Sequence, residues 1–209
     1  MANKLAISLV VYNGADYLPY CFNSIFNQSY QEFQLFILDN GSTDSSFALV
    51  KEISSGRSNT VVLPPEPLNI GFAAGHNKII QQCRSEFILL LNQDTILEPD
   101  YIAQLMNFME SHSSAGAFAG KVLRWNFKYA AKLTNAGKTD IIDTTGLSLF
   151  RSGRVADRGA GEKDSGQYDH TEEVFGVSGC LPLYRVESLR QVGYFDEHFF
   201  SYQEDIDLA

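Results

Sequence analysis

The chain opens on an unbroken apolar stretch, Leu5–Tyr12 (LAISLVVY), whose β-branched residues make the pattern of a strand covered on both faces. Asn13-Gly14 breaks it, and Asp16 stands where it can cap a helix carrying Leu18, Phe22 and Ile25 along one face. Phe33–Asp39 (FQLFILD) predicts a second strand that ends at the turn Asn40-Gly41; Asp44 then opens a helix through Phe47, Val50 and Ile53. Thr60–Leu63 reads as a shorter third strand before the turn Pro64-Pro65-Glu66-Pro67. Asn69–Cys83 predicts a helix with Gly71 and Gly75 near its head, and Phe87–Leu91 (FILLL) a fourth strand that exits through Asn92-Gln93-Asp94. Pro99 suits a helix first turn, followed by Tyr101, Ile102, Leu105, Met106 and Met109, and Ala115–Val122 closes this half as another strand.

Strand–helix alternation of this kind predicts an α/β fold, a doubly wound and mainly parallel sheet. Ligands of such sheets sit beyond the carboxyl ends of the strands, where Asp39 and Asp94 both fall. The second half changes character. Arg151–Thr171 is rich in Gly, Asp, Arg, Glu and Ser without apolar periodicity, which predicts a long flexible loop or a lid over residues 151–171. Thr144–Phe150 and Val174–Tyr184 read as strands able to pair antiparallel, and Val186–Val192 as a short helix. The sequence stops on Leu208-Ala209 in what reads as the first turn of a helix, the expectation for a chain truncated at its C-terminal side.

Composition narrows the function classes. With 209 residues, 44% hydrophobic and 20% charged, the chain has enough apolar material for one substantial core. Sixteen Lys+Arg against twenty-five Asp+Glu leave a formal charge of −9, the wrong sign for a general nucleic-acid binder. A nucleotide held through a divalent cation stays compatible with that charge. Cys21, Cys83 and Cys180 show no CxxC spacing, as expected of reduced thiols in a cytoplasmic protein. Lys4 and the following apolar run imitate a short signal peptide, but Tyr12-Asn13-Gly14 follows at once with no small-x-small cleavage site. Nothing approaches the run of about eighteen apolar residues needed to cross a bilayer.

Each candidate motif has a structural alternative. Asp39, within LDNGSTD (Leu38–Asp44), suits a ligand contact at a strand end and equally a turn before a helix. Asp94 is a hard oxygen ligand fit for Mg²⁺ or Mn²⁺, or a cap for the following helix. Gly71 and Gly75 permit close backbone approach either to a ligand or to the sheet. Neither a Walker loop nor GxGxxG is present, which demotes P-loop and nicotinamide chemistry. His76 taken alone reads as a polar surface or capping residue. Glu204, Asp205 and Asp207 make either an acidic helix start or a general base whose neighbours raise its pKa.

Six stretches in order, VVYNGADYL (Val10–Leu18), LDNGSTD, NIGFAAGHN (Asn69–Asn77), LLLNQDT (Leu89–Thr95), GVSGCLPLYR (Gly176–Arg185) and GYFDEHFFSYQEDIDL (Gly193–Leu208), together resemble the family 2 glycosyltransferases of GT-A fold. Asp157–Asp169 (DRGAGEKDSGQYD) with Glu173–Gly176 (EVFG) further resembles the rhamnosyltransferase-like members. The resemblance implies a single Rossmann-like GT-A domain with a small antiparallel element. Residues 1–125 would form the nucleotide-sugar-binding half, and residues 126–209 the start of the acceptor-binding half.

The same resemblance implies roles for individual residues. Val11, Tyr12 and Asn13 would line the nucleotide base, and Asp39 would bind the base or ribose. Gly71, Gly75, Asn77 and Lys78 would lie along the donor. Asn92-Gln93-Asp94 takes the place of the family's DxD motif, with Asn92 in the first acidic position, Asn92 and Gln93 contacting the nucleotide, and Asp94 left to hold Mn²⁺ or Mg²⁺. Asp205, beside Glu204, would be the base. The implied reaction is an inverting transfer from a UDP- or dTDP-sugar, dTDP-rhamnose among them, to a saccharide or lipid-linked hydroxyl in surface polysaccharide synthesis. It implies a cytoplasmic protein, at the inner face of the membrane where it associates peripherally. Two other readings remain: a nucleotide-sugar-binding fragment without catalysis, and a sugar nucleotidyltransferase, although Asn13-Gly14-Ala15-Asp16 lacks the basic Gly-rich loop of the latter. All enzymatic readings require the carboxylates at 39, 94 and 205 to meet around one cleft.

Overall fold

The computed structural model describes residues 3–127 and 137–209. At its centre lies a six-stranded sheet built from β1 (Leu5–Val11), β2 (Phe33–Asp39), β3 (Thr60–Val62), β4 (Phe87–Asn92), β5 (Ala117–Phe118) and, from far along the chain, β10 (Leu183–Arg185), in the order β3-β2-β1-β4-β10-β5. Strands β3, β2, β1 and β4 are parallel, with Val11 opposite Asp39 and Val10 opposite Asn92. β10 runs antiparallel between β4 and β5, so the second half of the sequence contributes to the sheet of the first.

Helices cover both faces. α1 (Leu18–Phe26), α2 (Ser46–Ser54) and α4 (Tyr101–Ser111) set Leu18, Phe22, Val50, Ile102, Leu105 and Met109 against Leu5, Ile7, Leu9 and Val11. α3 (Phe72–Gln82) and α5 (Val186–Val192) set Ile79, Ile80, Val186 and Leu189 against Ala6, Leu38, Ile88 and Leu90. Alternate residues of β1 thus serve opposite cores, which is why its apolar run has no polar face. Two small antiparallel pairs complete the architecture: β6 (Val122–Trp125) with β7 (Lys138–Thr144), and β8 (Leu147–Leu149) with β9 (Val155–Asp157).

Several local expectations need correction. α1 starts at Leu18 with Tyr17 at the N-cap and no side-chain cap; the Gly14 carbonyl accepts from Tyr17 and Leu18 N–H groups and replaces the expected Asp16 cap. Ala115–Val122 divides between β5 and the start of β6, and Thr144–Phe150 straddles the end of β7 and β8. Of Val174–Tyr184 only the last two residues join a strand, β10. Residues 151–171 are not devoid of structure. They contain β9, an antiparallel bridge from Lys163 to Ile141, and ion pairs from Lys121 to Asp164 and Asp169 at 2.7 and 2.6 Å. Charged side chains stand in for the apolar periodicity that the sequence lacks there. Among the described residues no helix is long and apolar enough to cross a membrane.

Candidate active site

The exits of β1, β2 and β4 are sewn together by short-range polar chemistry. Gln93 grips Tyr12 at two points, accepting from its N–H at 3.0 Å and donating to its carbonyl at 2.8 Å. A Cβ on Gly14 would stand 2.2 Å from Gln93 Oε1, so glycine there is what lets the amide lie across. Asn13, held at φ 47°, accepts from Thr43 N–H at 2.8 Å and donates its own N–H to Ser42 Oγ at 3.0 Å. Gly14 N–H donates to Ser46 Oγ, and Ala15 N–H to Asp44 Oδ2. Asp44, expected to open α2, in fact accepts from the Ser46 N–H just inside it while binding the β1 exit. Its carboxyl is held below the usual range, where these hydrogen bonds outweigh the opposing effect of burial.

Asp39 closes β2 at 2% exposure. Its Oδ1 accepts from Ser42 N–H at 3.1 Å, while Oδ2 is buried with no partner among the described residues. An unpaired buried acceptor costs roughly 1–3 kcal/mol unless water or another donor reaches it. Val11 is fully buried, and its carbonyl accepts from Asn40 N–H, leaving its side chain to the core. Tyr12 is 41% exposed.

The residues expected along the donor behave differently. Gly71 has φ +91°, and a Cβ there would come within 2.3 Å of the Phe200 carbonyl, which accepts from Phe72 N–H at 2.6 Å. Gly75 allows α3 to approach β1, since a Cβ would meet Val10 Cγ1 at 3.0 Å. Asn77 donates to the Phe195 carbonyl and to Glu197, and accepts from Phe195 N–H. Lys78 pairs with Glu66 at 2.6 Å. All four positions fasten α3 to its neighbours. His76 is not on the surface: it is 1% exposed, its Nδ1 lies 2.8 Å from Ser8 Oγ, and burial lowers its pKa to about 3.

Beside these turns opens a cleft of about 1190 Å³. Asn92, Asp94 and Thr95 from the β4 exit, residues 178–181, residues 201–206, α1 and the β6–β7 and β8–β9 pairs all contribute to its wall. Asn92 N–H donates to the Cys180 carbonyl at 3.2 Å and so ties the 178–181 wall to β4. Asp94 is exposed, with no hydrogen bond or ion pair among the described residues. Against the 178–181 wall, α6 (Glu204–Leu208) presents its first turn to the cleft, where Asp205 Oδ2 accepts from Gly179 N–H at 2.8 Å. Glu204 is 5% exposed and its Oε2 has no partner; burial pushes its pKa up, and the charge of Asp205 adds to the effect. Cys180, in the same wall, is raised to about 11 by burial, with the Asp94 charge contributing.

Of the three carboxylates expected to meet, Asp94 and Asp205 share one cleft, together with Glu204, but the expected meeting of all three is not found. Asp39 does not line it. β2 lies two strands from β4, about 10 Å at ordinary strand spacing, so Asp39 serves a neighbouring part of the same sheet edge. Among the described residues no three His, Cys, Asp or Glu side chains are grouped to hold a metal. One free carboxylate is still a sufficient protein ligand for Mg²⁺ or a similar cation that draws its other ligands from phosphate and water, and Asp94 fits that pattern. The aromatic wall of the cleft, with Tyr17, Tyr20, Trp125 and Phe127, is absent from the motif reading. The one signal for it was the i, i+3 spacing of two tyrosines off the apolar face of α1.

Comparison with known proteins agrees with this architecture. An uncharacterized glycosyltransferase of Haemophilus influenzae is 33% identical over 105 residues, half of this chain and 42% of that one. The poly-beta-1,6-N-acetyl-D-glucosamine synthase of Staphylococcus epidermidis is 23% identical over 98% of this chain and 44% of its own length. Among solved structures, S. aureus TarS 1–349 in complex with UDP superposes with TM-score 0.66 at 18% identity, covering 98% of this chain and 54% of that one. The mannosyltransferase PcManGT from Pyrobaculum calidifontis, in complex with GDP-Man and Mn²⁺, does so at 0.64 with 15% identity, over 94% of this chain and 48% of that one. The chain thus spans about half the length of these relatives, and the fold it shares with them is GT-A. Residues 7–193, which contain the sewn strand exits, the Asp94 turn and the Gly179 wall, match the family described as Glycosyl transferase family 2, and the chain belongs to that family.

Proposed function

We propose that this chain carries the donor and catalytic site of an inverting glycosyltransferase that moves a sugar from a nucleoside diphosphate to a hydroxyl acceptor. The observation that carries this reading is that Asp94, Glu204 and Asp205 line one cleft at the carboxyl edge of the sheet. Asp205 is the general base: one carboxylate oxygen is held by Gly179 N–H and the other is left to take the proton of the acceptor hydroxyl, whose oxygen bonds to the anomeric carbon as the bond to the nucleoside diphosphate breaks. Asp94 would hold Mn²⁺ or Mg²⁺, which when bound supplies charge neutralisation for the departing diphosphate. Base and metal ligand from separate segments of one cleft are compatible with attack from the face opposite the leaving group. Asp39, with its buried free oxygen, would receive a donor from the base or ribose, next to Tyr12 and Asn13.

UDP or dTDP is the nucleotide this reading favours, with rhamnose as the sugar on the resemblance of the Asp157–Asp169 segment, of which Asp157 stands in the cleft wall. A saccharide or lipid-linked acceptor in surface polysaccharide synthesis, at the cytoplasmic side of a membrane, fits relatives such as the N-acetyl-D-glucosamine polymer synthase. Calorimetry with UDP and dTDP, with and without Mn²⁺, tests the donor half. Wild-type protein should bind more tightly with Mn²⁺, and Asp94→Ala should lose that increment. Equal affinity with and without Mn²⁺ in the wild type would remove the metal role, and binding of neither nucleotide would remove the function.

A further inference from the structure

Beyond the carboxylates, the cleft has an arm that the reaction above does not use. Tyr17, Tyr20, Asn23 and Asn27 follow one another at helical spacing along a single face of α1, and all four line the cleft. Trp125 at the end of β6 and Phe127 just beyond it form the facing side. Phe127 meets both tyrosines edge to face, with ring centroids 4.8 Å from Tyr17 and 5.9 Å from Tyr20. This contact fixes the rings without covering them, since Tyr17, Tyr20, Trp125 and Phe127 all stay partly exposed. The polar edge is open as well. Among the described residues neither tyrosine hydroxyl has a hydrogen-bond partner; Asn27 Nδ2 donates to Asn23, leaving Asn23 Nδ2 and Asn27 Oδ1 without one.

Fixed aromatic faces beside unpaired hydroxyl and amide groups suit a ligand with both an apolar C–H face and a fringe of hydroxyls. A pyranose ring is that ligand. We propose that the α1 arm is a saccharide subsite, holding the acceptor chain so that its terminal hydroxyl points along the cleft to Asp205. The inference rests on the glycosyltransferase reading with its saccharide acceptor and adds to it the residues that grip that acceptor. A phosphate-rich acceptor is disfavoured, because the basic residues at the rim are already neutralised: Arg124 pairs with Asp143, and Lys138 with Glu98.

Trp125 is the sole tryptophan of the chain, so its emission reports on this arm alone. The test titrates the full chain, saturated with UDP and Mn²⁺, with the methyl glycosides of glucose, galactose, N-acetylglucosamine and rhamnose. At least one should change Trp125 emission saturably in the millimolar range. The double variant Tyr17→Ala/Tyr20→Ala should weaken that response about tenfold or more, roughly 1.4 kcal/mol. Tyr20→Phe, which keeps the ring and is safe for folding, should stay within about threefold. Calorimetric affinity for UDP should be the same in all variants. A response undiminished in the double variant, or none with any glycoside up to about 50 mM while UDP binds, would overturn the subsite. Parallel loss of UDP and glycoside affinity would place the nucleobase in the arm and overturn it too. Failure of wild-type protein to bind UDP or dTDP at all would instead defeat the underlying reading, and the subsite with it.

Discussion

The N–H of Gly179 donates to Asp205 Oδ2 at 2.8 Å, and this one bond aims the carboxylate at the start of α6. A Cβ at position 179 would touch Glu204 Oε1 at 3.4 Å and Asp205 Oδ2 at 3.6 Å, so the wall and the acidic pair are already in van der Waals contact. The substitution Asp205→Asn keeps an oxygen for Gly179 and removes the proton acceptor. Sugar transfer should fall by about 10²–10⁴ if Asp205 is the base, while nucleotide affinity and melting temperature barely move. Turnover equal to wild type in a coupled assay of nucleoside diphosphate release would eliminate the assignment.

Glu204 gives a stability signature of its own. Its buried, unpartnered Oε2 raises its pKa from the ordinary 4.5. A raised carboxyl favours the folded state below the unfolded pKa, and that contribution is lost as pH climbs through the folded value. Wild-type protein should therefore lose stability relative to Glu204→Gln as pH rises above about 4.5, and the two should converge in acid. At pH 8 the variant should melt higher, by roughly 2–4 °C for each 1 kcal/mol relieved. Scanning calorimetry of both proteins at pH 4 and pH 8 decides; a constant difference across that range would show that the carboxyl is ordinary. Gain of stability with loss of transfer is what strain held for function predicts.

His76 works in the opposite direction. Burial against Ser8 and the Phe72 ring, whose centroid lies 4.3 Å away, lowers its pKa from 6.5 to about 3. The depressed value means that stability is complete above pH 6.5 and drains as pH falls, because the unfolded chain takes up a proton that the folded one refuses. One proton is worth about 1.4 kcal/mol per pH unit. Between pH 6 and pH 4, urea midpoints of His76→Asn should fall less steeply than those of the wild type by up to that slope. Parallel curves would mean that the imidazole protonates in place.

These two groups show where sequence reading stops. The strands were visible because burial on both faces leaves Leu5–Val11 apolar except for Ser8 and Phe87–Leu91 apolar throughout, and because Asp39 closes Phe33–Asp39 and Asp94 follows Phe87–Asn92. Phe33–Asp39 and Val186–Val192 form with the expected bounds. The sharing of a cleft by Asp94 and Asp205 also follows from topology: α6 is placed by Phe200 on α3 and by Gly179 beside β4. What could not be read is which polar residues the fold turns inward. His76 has the same local sequence whether it faces Ser8 or water, and Gln93 reads as a ligand contact until its amide is seen on the Tyr12 backbone. In residues 151–171 the order comes from pairs distant in sequence, such as Lys121 with Asp164, for which no periodicity exists.

The two glycines of NIGFAAGHN separate packing from conformation. Gly71 combines φ +91° with a carbonyl, that of Phe200, 2.3 Å from where a Cβ would be; backbone cannot give way as a side chain can. Phe200 leads into Tyr202 and Gln203, both left-handed at φ 70° and 72°, so any displacement there is passed to Glu204 and Asp205. Gly75 has ordinary helical backbone, and its added methyl would meet only the Val10 side chain, at 3.0 and 3.2 Å. Gly71→Ala should therefore cost at least about 2 kcal/mol, from left-handed strain of roughly 1–3 kcal/mol plus the clash, and should disable transfer even where the protein is folded. Gly75→Ala should cost about 1 kcal/mol or less, because the helix gains a better former while Val10 shifts by a few tenths of an ångström. Urea denaturation ranks the two variants, and near-UV circular dichroism of folded Gly71→Ala reads the aromatic surroundings of Phe200 and Tyr202. Equal stabilities would show that the 200–203 segment yields freely, and that α6 does not depend on Gly71 for its place above the cleft.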